Sequence, residues 1–145
     1  MKKSTLFVLV FYVIGIAVAQ NANDAYPYPG RTLLLPPEVM QTGVRYAMND
    51  HFITLNPDGN LVIAREADDG FVWGFNAIDV DYPRVARVEM QSDGNLAAYA
   101  ADGGYIWSAL TENPDPDARL MLTPTGALQL YSDERGVLWS SDGNF

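Results

Sequence analysis

Four residues at alternate spacing within one short run, Gln91, Asp93, Asn95 and Tyr99, carry side chains suited to holding a ligand by hydrogen bonds. Asp93 accepts with a charged oxygen, Gln91 and Asn95 both donate and accept, and Tyr99 adds a phenol that can do either. Bonds to the ionised carboxylate are the stronger ones. Asp-Gly-Asn alone is ordinary turn chemistry. It does not account for Gln91 together with Tyr99, so the set points to a binding site. Bond-making chemistry finds little support: His51 is the only histidine, cysteine is absent, and no serine lies in a Gly-x-Ser-x-Gly turn. The many Asp residues are compatible with two-carboxylate hydrolysis, but nothing places a pair across a cleft. His51 reads as a polar strand or turn residue, no catalytic residue is assigned, and an enzyme is not expected.

The elements that position this set occur three times. Leu55 to Ile63 leads to Trp73, Met90 to Tyr99 leads to Trp107, and Leu122 to Tyr131 leads to Trp139. The turn glycines Gly59, Gly94 and Gly126 lie 35 and 32 residues apart, and the tryptophans lie 34 and 32 apart. Each copy reads as strand, turn, strand. A two-residue Asp93-Gly94 loop would set Gln91 opposite Leu96 and mix polar with apolar on one face. A three-residue loop, Ser92 to Gly94, pairs Gln91 with Asn95 and Met90 with Leu96, and separates them. It also puts Gly94 at the left-handed bulge position that glycine adopts without penalty. The same register sets Leu55 with Leu61 and Leu122 with Leu128 on an inner face. No copy can bury that face alone, so the three are expected to close around a common axis with Trp73, Trp107 and Trp139 at its centre. The rival use of these tryptophans, as exposed ligand-stacking surfaces, fits their repetition beside Val72, Ile106 and Leu138 less well. Helix signals are weak, and Pro36-Pro37 and Asn113 to Asp117 read as loops.

Lys2 and Lys3 precede an apolar run, Leu6 to Val18, that ends in Ala17-Val18-Ala19, the pattern of a cleaved signal peptide over residues 1–19. The run is shorter than a spanning helix. Of 145 residues, removal of 19 leaves 126, enough for one domain with a single core. Both lysines leave with the leader, so seven arginines face 18 acidic residues, a net charge of −11. Such a surface repels phosphate backbones and anionic headgroups, which argues against nucleic-acid and membrane partners. Without cysteine there is neither a disulfide nor a thiolate metal site, and the core alone must hold the fold. The expected organisation is a leader over 1–19, an extended lead-in over 20–30 and one domain over 31–145.

The run Gln91-x-Asp93-x-Asn95-x-Ala97-x-Tyr99 resembles the mannose-site motif Gln-x-Asp-x-Asn-x-Val-x-Tyr of bulb-type monocot lectins, with Ala97 in place of valine. The resemblance spans about Arg31 to Phe145 and includes Leu33-Leu34-Leu35, the three hairpins and their Trp-Ser or Trp-Gly endings. It implies an all-β fold, a β-prism II of three four-stranded antiparallel sheets with pseudo-threefold symmetry. It also implies a mannose-type sugar held by Gln91, Asp93, Asn95, Ala97 and Tyr99 without a metal or other cofactor. Valine methyls at the position of Ala97 would pack on the sugar ring, and the inferred register turns that position outward. In the first copy Asn56, Asp58, Asn60 and Val62 resemble the motif, but Ala64 replaces the tyrosine, so a weakened second site is expected there. In the third only Tyr131 matches; Thr123, Thr125, Ala127 and Gln129 replace the rest, and that copy is expected to be structural.

The expected function is that of a secreted, extracellular lectin whose partners are mannose-containing glycans or glycoproteins, bound mainly by the middle copy. Two alternatives belong to other classes: a structural or protein-binding prism that has lost sugar binding, and a lectin-like antibacterial protein, which tandem domains usually characterise. Single weak sites gain from avidity, so a homodimer is compatible with the sequence, though no segment identifies its interface.

Overall fold

The computed structural model describes residues 30–112 and 117–143, together with the backbone of Phe11–Val13 and Ile16–Val18. Those two short segments, β1 (Phe11–Val13) and β2 (Ile16–Val18), pair antiparallel. The expected cleavage point after Ala19, the lead-in up to Pro29 and residues 113–116 lie outside the described residues. The remaining strands come in three sheets. The first repeat builds β5 (His51–Leu55), β6 (Leu61–Arg65) and β7 (Phe71–Gly74). The middle repeat builds β8 (Val85–Met90), β9 (Leu96–Ala100) and β10 (Tyr105–Ser108). The third builds β11 (Arg119–Leu122), β12 (Leu128–Ser132) and β13 (Gly136–Ser140). Among the described residues helix is confined to single 3-10 turns at Phe75–Ala77 and Tyr82–Arg84.

The stretch before the first repeat lends an edge to all three sheets. β3 (Arg31–Leu34) lies along β11, and β4 (Tyr46–Met48) lies along β5. Between them, Met40 donates its N–H to Val88 O (2.9 Å), and Met90 donates to Glu38 O (3.0 Å). That contact amounts to a single bridge, Val39 to Glu89, so the middle sheet has three full strands where four are expected. Pro36 and Pro37 stand just before it and have no N–H with which to extend a ladder. Because β3 joins the last repeat's sheet, the ring of sheets closes by strand pairing, without a covalent link.

The hairpin register is the expected one in every repeat: Leu55 faces Leu61, Met90 faces Leu96, and Leu122 faces Leu128. Beyond each pair the loop is closed by one more bond, Asn56 N to Asn60 O, Gln91 N to Asn95 O, and Thr123 N to Ala127 O. Gly59, Gly94 and Gly126 all have φ between 85° and 87°. The six paired residues are 0 or 1 % exposed, and Ile63, Val88, Ala98, Leu120 and Leu130 are fully buried beside them. Each large aliphatic side chain of this kind contributes about 1.5–3 kcal/mol on burial.

The tryptophans meet at the axis as expected. Trp139 packs edge-on against Trp73 at 6.1 Å and Trp107 at 5.8 Å. Phe75 fills the third side, 6.1 Å from Trp73 and 5.2 Å from Trp107, and is fully buried. Each tryptophan is preceded by a β-bulge on the edge strand. Pairing jumps from Trp73 to Phe71, from Trp107 to Tyr105 and from Trp139 to Val137, skipping Val72, Ile106 and Leu138. The skipped residue restores the alternation, so Phe71, Tyr105 and Val137 share the outer face with Ala64, Tyr99 and Tyr131 opposite them. Bulged edges also resist pairing with a second sheet.

Candidate functional site

On the outer face of the middle sheet the β8–β9 turn is tied from three sides. Asp93 Oδ1 accepts the Asn95 N–H at 3.0 Å, which leaves the other carboxylate oxygen at an exposed position. Asn95 Oδ1 accepts the Thr111 N–H at 3.2 Å, and the Thr111 hydroxyl donates to Gly94 O at 2.9 Å. Asn95 is accordingly 4 % exposed, and what its amide offers a ligand is its NH2 group. Gln91 Nε2 donates to the Tyr99 hydroxyl at 2.5 Å, so the two ends of the five-residue set meet across the hairpin.

Tyr99 is flanked on both sides. The Arg87 guanidinium lies over its ring at 4.6 Å and is held by Glu89 through a 2.9 Å ion pair. Tyr105 stands across it, edge to face, with centroids 6.3 Å apart. Ala97 does lie on the outer face, between Glu89 and Ser108, but is only 1 % exposed. A ligand reaches its Cβ only if neighbouring side chains give way. The structure thus joins Gln91 to Tyr99, leaves Asp93 exposed in the adjoining turn, and buries Asn95 and Ala97 almost completely.

The first repeat repeats the turn and not the rim. Asp58 Oδ1 accepts the Asn60 N–H at 3.0 Å, and Asn60 Oδ1 accepts the Asn76 N–H at 3.2 Å. Ala64 stands where the middle repeat has Tyr99. Phe52 occupies the opposed position, with the Arg45 guanidinium over it at 3.7 Å. Arg45 is held by Asp69 at 2.6 Å and Glu66 at 3.4 Å. An open groove of about 420 Å³ results, lined by Arg45, Phe52, Thr54, Asn56, Val62 and Ala64 among others. Of the four residues assigned to a second site, Asn56 and Val62 face this groove, and Asp58 and Asn60 serve its turn.

In the third repeat the hydroxyls satisfy one another. Thr123 Oγ1 accepts the Ala127 N–H at 2.9 Å and lies 3.1 Å from Thr125 Oγ1, and Gln129 Nε2 donates to Ser140 Oγ at 3.4 Å. Arg119 lies over Tyr131 at 5.3 Å, as Arg87 does over Tyr99. His51 starts β5 and packs against Gly126, where any Cβ would come within 2.5 Å of the imidazole. Among the described residues no group of three or more His, Asp or Glu is placed to hold a metal ion.

Sequence reasoning left out Arg87, Glu89, Tyr105 and Thr111. A signal existed for the first: Arg87 stands three residues before Met90 and Arg119 three before Leu122, the same offset that places Phe52 before Leu55. Tyr105 carried one too, since it stands two residues before Trp107 as Phe71 stands two before Trp73, whereas Glu89 and Thr111 carry no recurring mark.

No protein-family model and no curated protein sequence matches the chain. Solved structures do. A monomeric monocot mannose-binding lectin from Gastrodia elata superimposes with a TM-score of 0.60 at 22% identity, covering 74% of this chain and 94% of that one. A lectin of Marasmius oreades gives 0.64 at 21% identity, covering 82% and 97%. The Polygonatum cyrtonema lectin, solved with a monomannoside, gives 0.56 at 21% identity, covering 68% and 87%. Closed by the pairing of β3 with β11 around three tryptophans, the chain has the fold of the monocot mannose-binding lectins, a β-prism of three antiparallel sheets.

Proposed function

We propose that this chain is a secreted carbohydrate-binding lectin that recognises mannose-type glycans without a metal ion, mainly through its middle repeat. One observation carries the reading: of the three repeats only the middle one combines an exposed charged acceptor in the turn, Asp93, with a carboxamide, Gln91, in direct contact with a phenol, Tyr99. Vicinal hydroxyls of a neutral sugar require such a mixture of donors and acceptors. A shallow set of this kind tells axial from equatorial hydroxyls by where its partners lie. The Polygonatum lectin of the same fold binds a monomannoside, which supports the choice of sugar. Secretion rests on the leader motif of residues 1–19.

A second reading, a prism that no longer binds sugar, is favoured by the burial of Asn95 and Ala97 at 4 % and 1 % exposure. A glycan array on the chain lacking residues 1–19, run with and without chelator, separates the two. Mannose-terminated glycans should be retained equally in both conditions. An array blank for sugars, with the protein folded, would leave only the second reading.

A further inference from the structure

The bulge at Ile106 does more than relieve the edge of a sheet. Without it, Trp107 opposite Ala98 would set Ile106 opposite Tyr99; with it, Tyr105 takes that place on the outer face. The ring is 60 % exposed, and its hydroxyl lies 3.3 Å from Ser108 Oγ. The corresponding residue of the first repeat is Phe71, 49 % exposed, and that of the third is Val137. The aromatic side chain therefore accompanies the polar set. It is present in the two repeats that keep Asp and Asn in the turn, and is replaced in the repeat whose turn holds Thr125 and Ala127. Packing does not explain the difference, since the aromatic rings face water and the half-buried residue is the valine.

We propose that Tyr105 is the floor of a second subsite, which stacks against the adjoining residue of an oligosaccharide whose terminal sugar is held by Gln91, Asp93 and Tyr99. The proposal rests on the reading of the middle repeat as a sugar site. A glycan leaving Tyr99 has two ways to run. On one side lies Arg87, whose guanidinium is already engaged by Glu89 and by the ring of Tyr99. On the other lies the largely exposed ring of Tyr105, and the negative π-cloud of an aromatic ring attracts the weakly positive C–H groups of a pyranose. The ligand class is thus a mannoside of two or more residues, and Tyr105 sets a preference for chain length.

Titration calorimetry with methyl α-mannoside and with α-linked mannobiosides of each linkage, on the unmodified chain and on Tyr105→Ala and Tyr105→Phe, tests this. At least one disaccharide should bind the unmodified chain about fivefold more tightly than the monosaccharide. Tyr105→Ala should bind disaccharide and monosaccharide with equal affinity, whatever that affinity is, and Tyr105→Phe should keep the preference. A preference that persists in Tyr105→Ala, or is absent from the unmodified chain, overturns the subsite and leaves the single-sugar reading intact. Failure of the unmodified chain to bind either sugar overturns both.

Discussion

Asn95 and Thr111 are joined across the end of the middle sheet: the Asn95 side-chain oxygen accepts the Thr111 backbone N–H at 3.2 Å. The first repeat makes the same tie between Asn60 and Asn76, at the same distance and the same separation of 16 residues. Two independent copies of one bond identify the asparagine of the turn as a brace for the segment that leaves the third strand. In the middle repeat Thr111 strengthens the brace through its bond to Gly94 O.

Removing the brace leaves a partly buried N–H without its acceptor, which costs about 1–3 kcal/mol. Asn95→Ala and Asn60→Ala should therefore lower stability by similar amounts in urea denaturation. Only Asn95→Ala should also weaken mannose binding. Equal loss of binding in both variants would show that the turns act on a shared property of the fold.

The turn glycines answer to two demands that can be measured apart. Gly43 has φ of 81° with open space around a would-be Cβ, so Gly43→Ala meets backbone strain alone. Gly59 has φ of 87°, and its Cβ would come within 2.1 Å of Tyr82 O. Left-handed strain costs about 1–3 kcal/mol for a residue with a side chain. Gly59→Ala should be clearly more destabilising than Gly43→Ala in thermal melts, because its turn must also back away from the Tyr82 backbone. Equal losses would mean that the turn yields freely.

Much of this arrangement was legible in the sequence, for identifiable reasons. Alternation of leucines with polar residues around Gly59, Gly94 and Gly126 admitted one loop length, and the observed pairs are those that it implies. The repeated tryptophans pointed to a shared centre, which Trp73, Trp107 and Trp139 form. Phe75, which completes that centre, was not legible because Gly74 and Phe75 recur in no other copy. The bulges were hidden because an inserted residue changes the facing of Tyr105 without altering composition. The near-complete burial of Ala97 was hidden too, since it depends on Glu89 and Ser108 in neighbouring strands. The proposal of a sugar ligand rests on the resemblance carried by Gln91 to Tyr99, because spacing and alternation alone name no ligand.

The middle repeat is proposed to hold the sugar, and two of its side chains can be altered with little change of shape. Asp93→Asn keeps an oxygen for the turn and removes the charge, and Tyr99→Phe keeps the ring between Arg87 and Tyr105 and removes the hydroxyl. Each should preserve the fold. A charge-assisted bond is worth about 1.5–3 kcal/mol, so Asp93→Asn should weaken methyl α-mannoside about tenfold or more. Titration calorimetry on these two variants, beside Thr125→Ala and Tyr131→Phe in the third repeat, is the most direct measurement. Both middle-repeat variants should lose most of their affinity, while both third-repeat variants should bind as the unmodified chain does. Full affinity in Asp93→Asn and Tyr99→Phe, with loss in Thr125→Ala or Tyr131→Phe, would contradict that assignment.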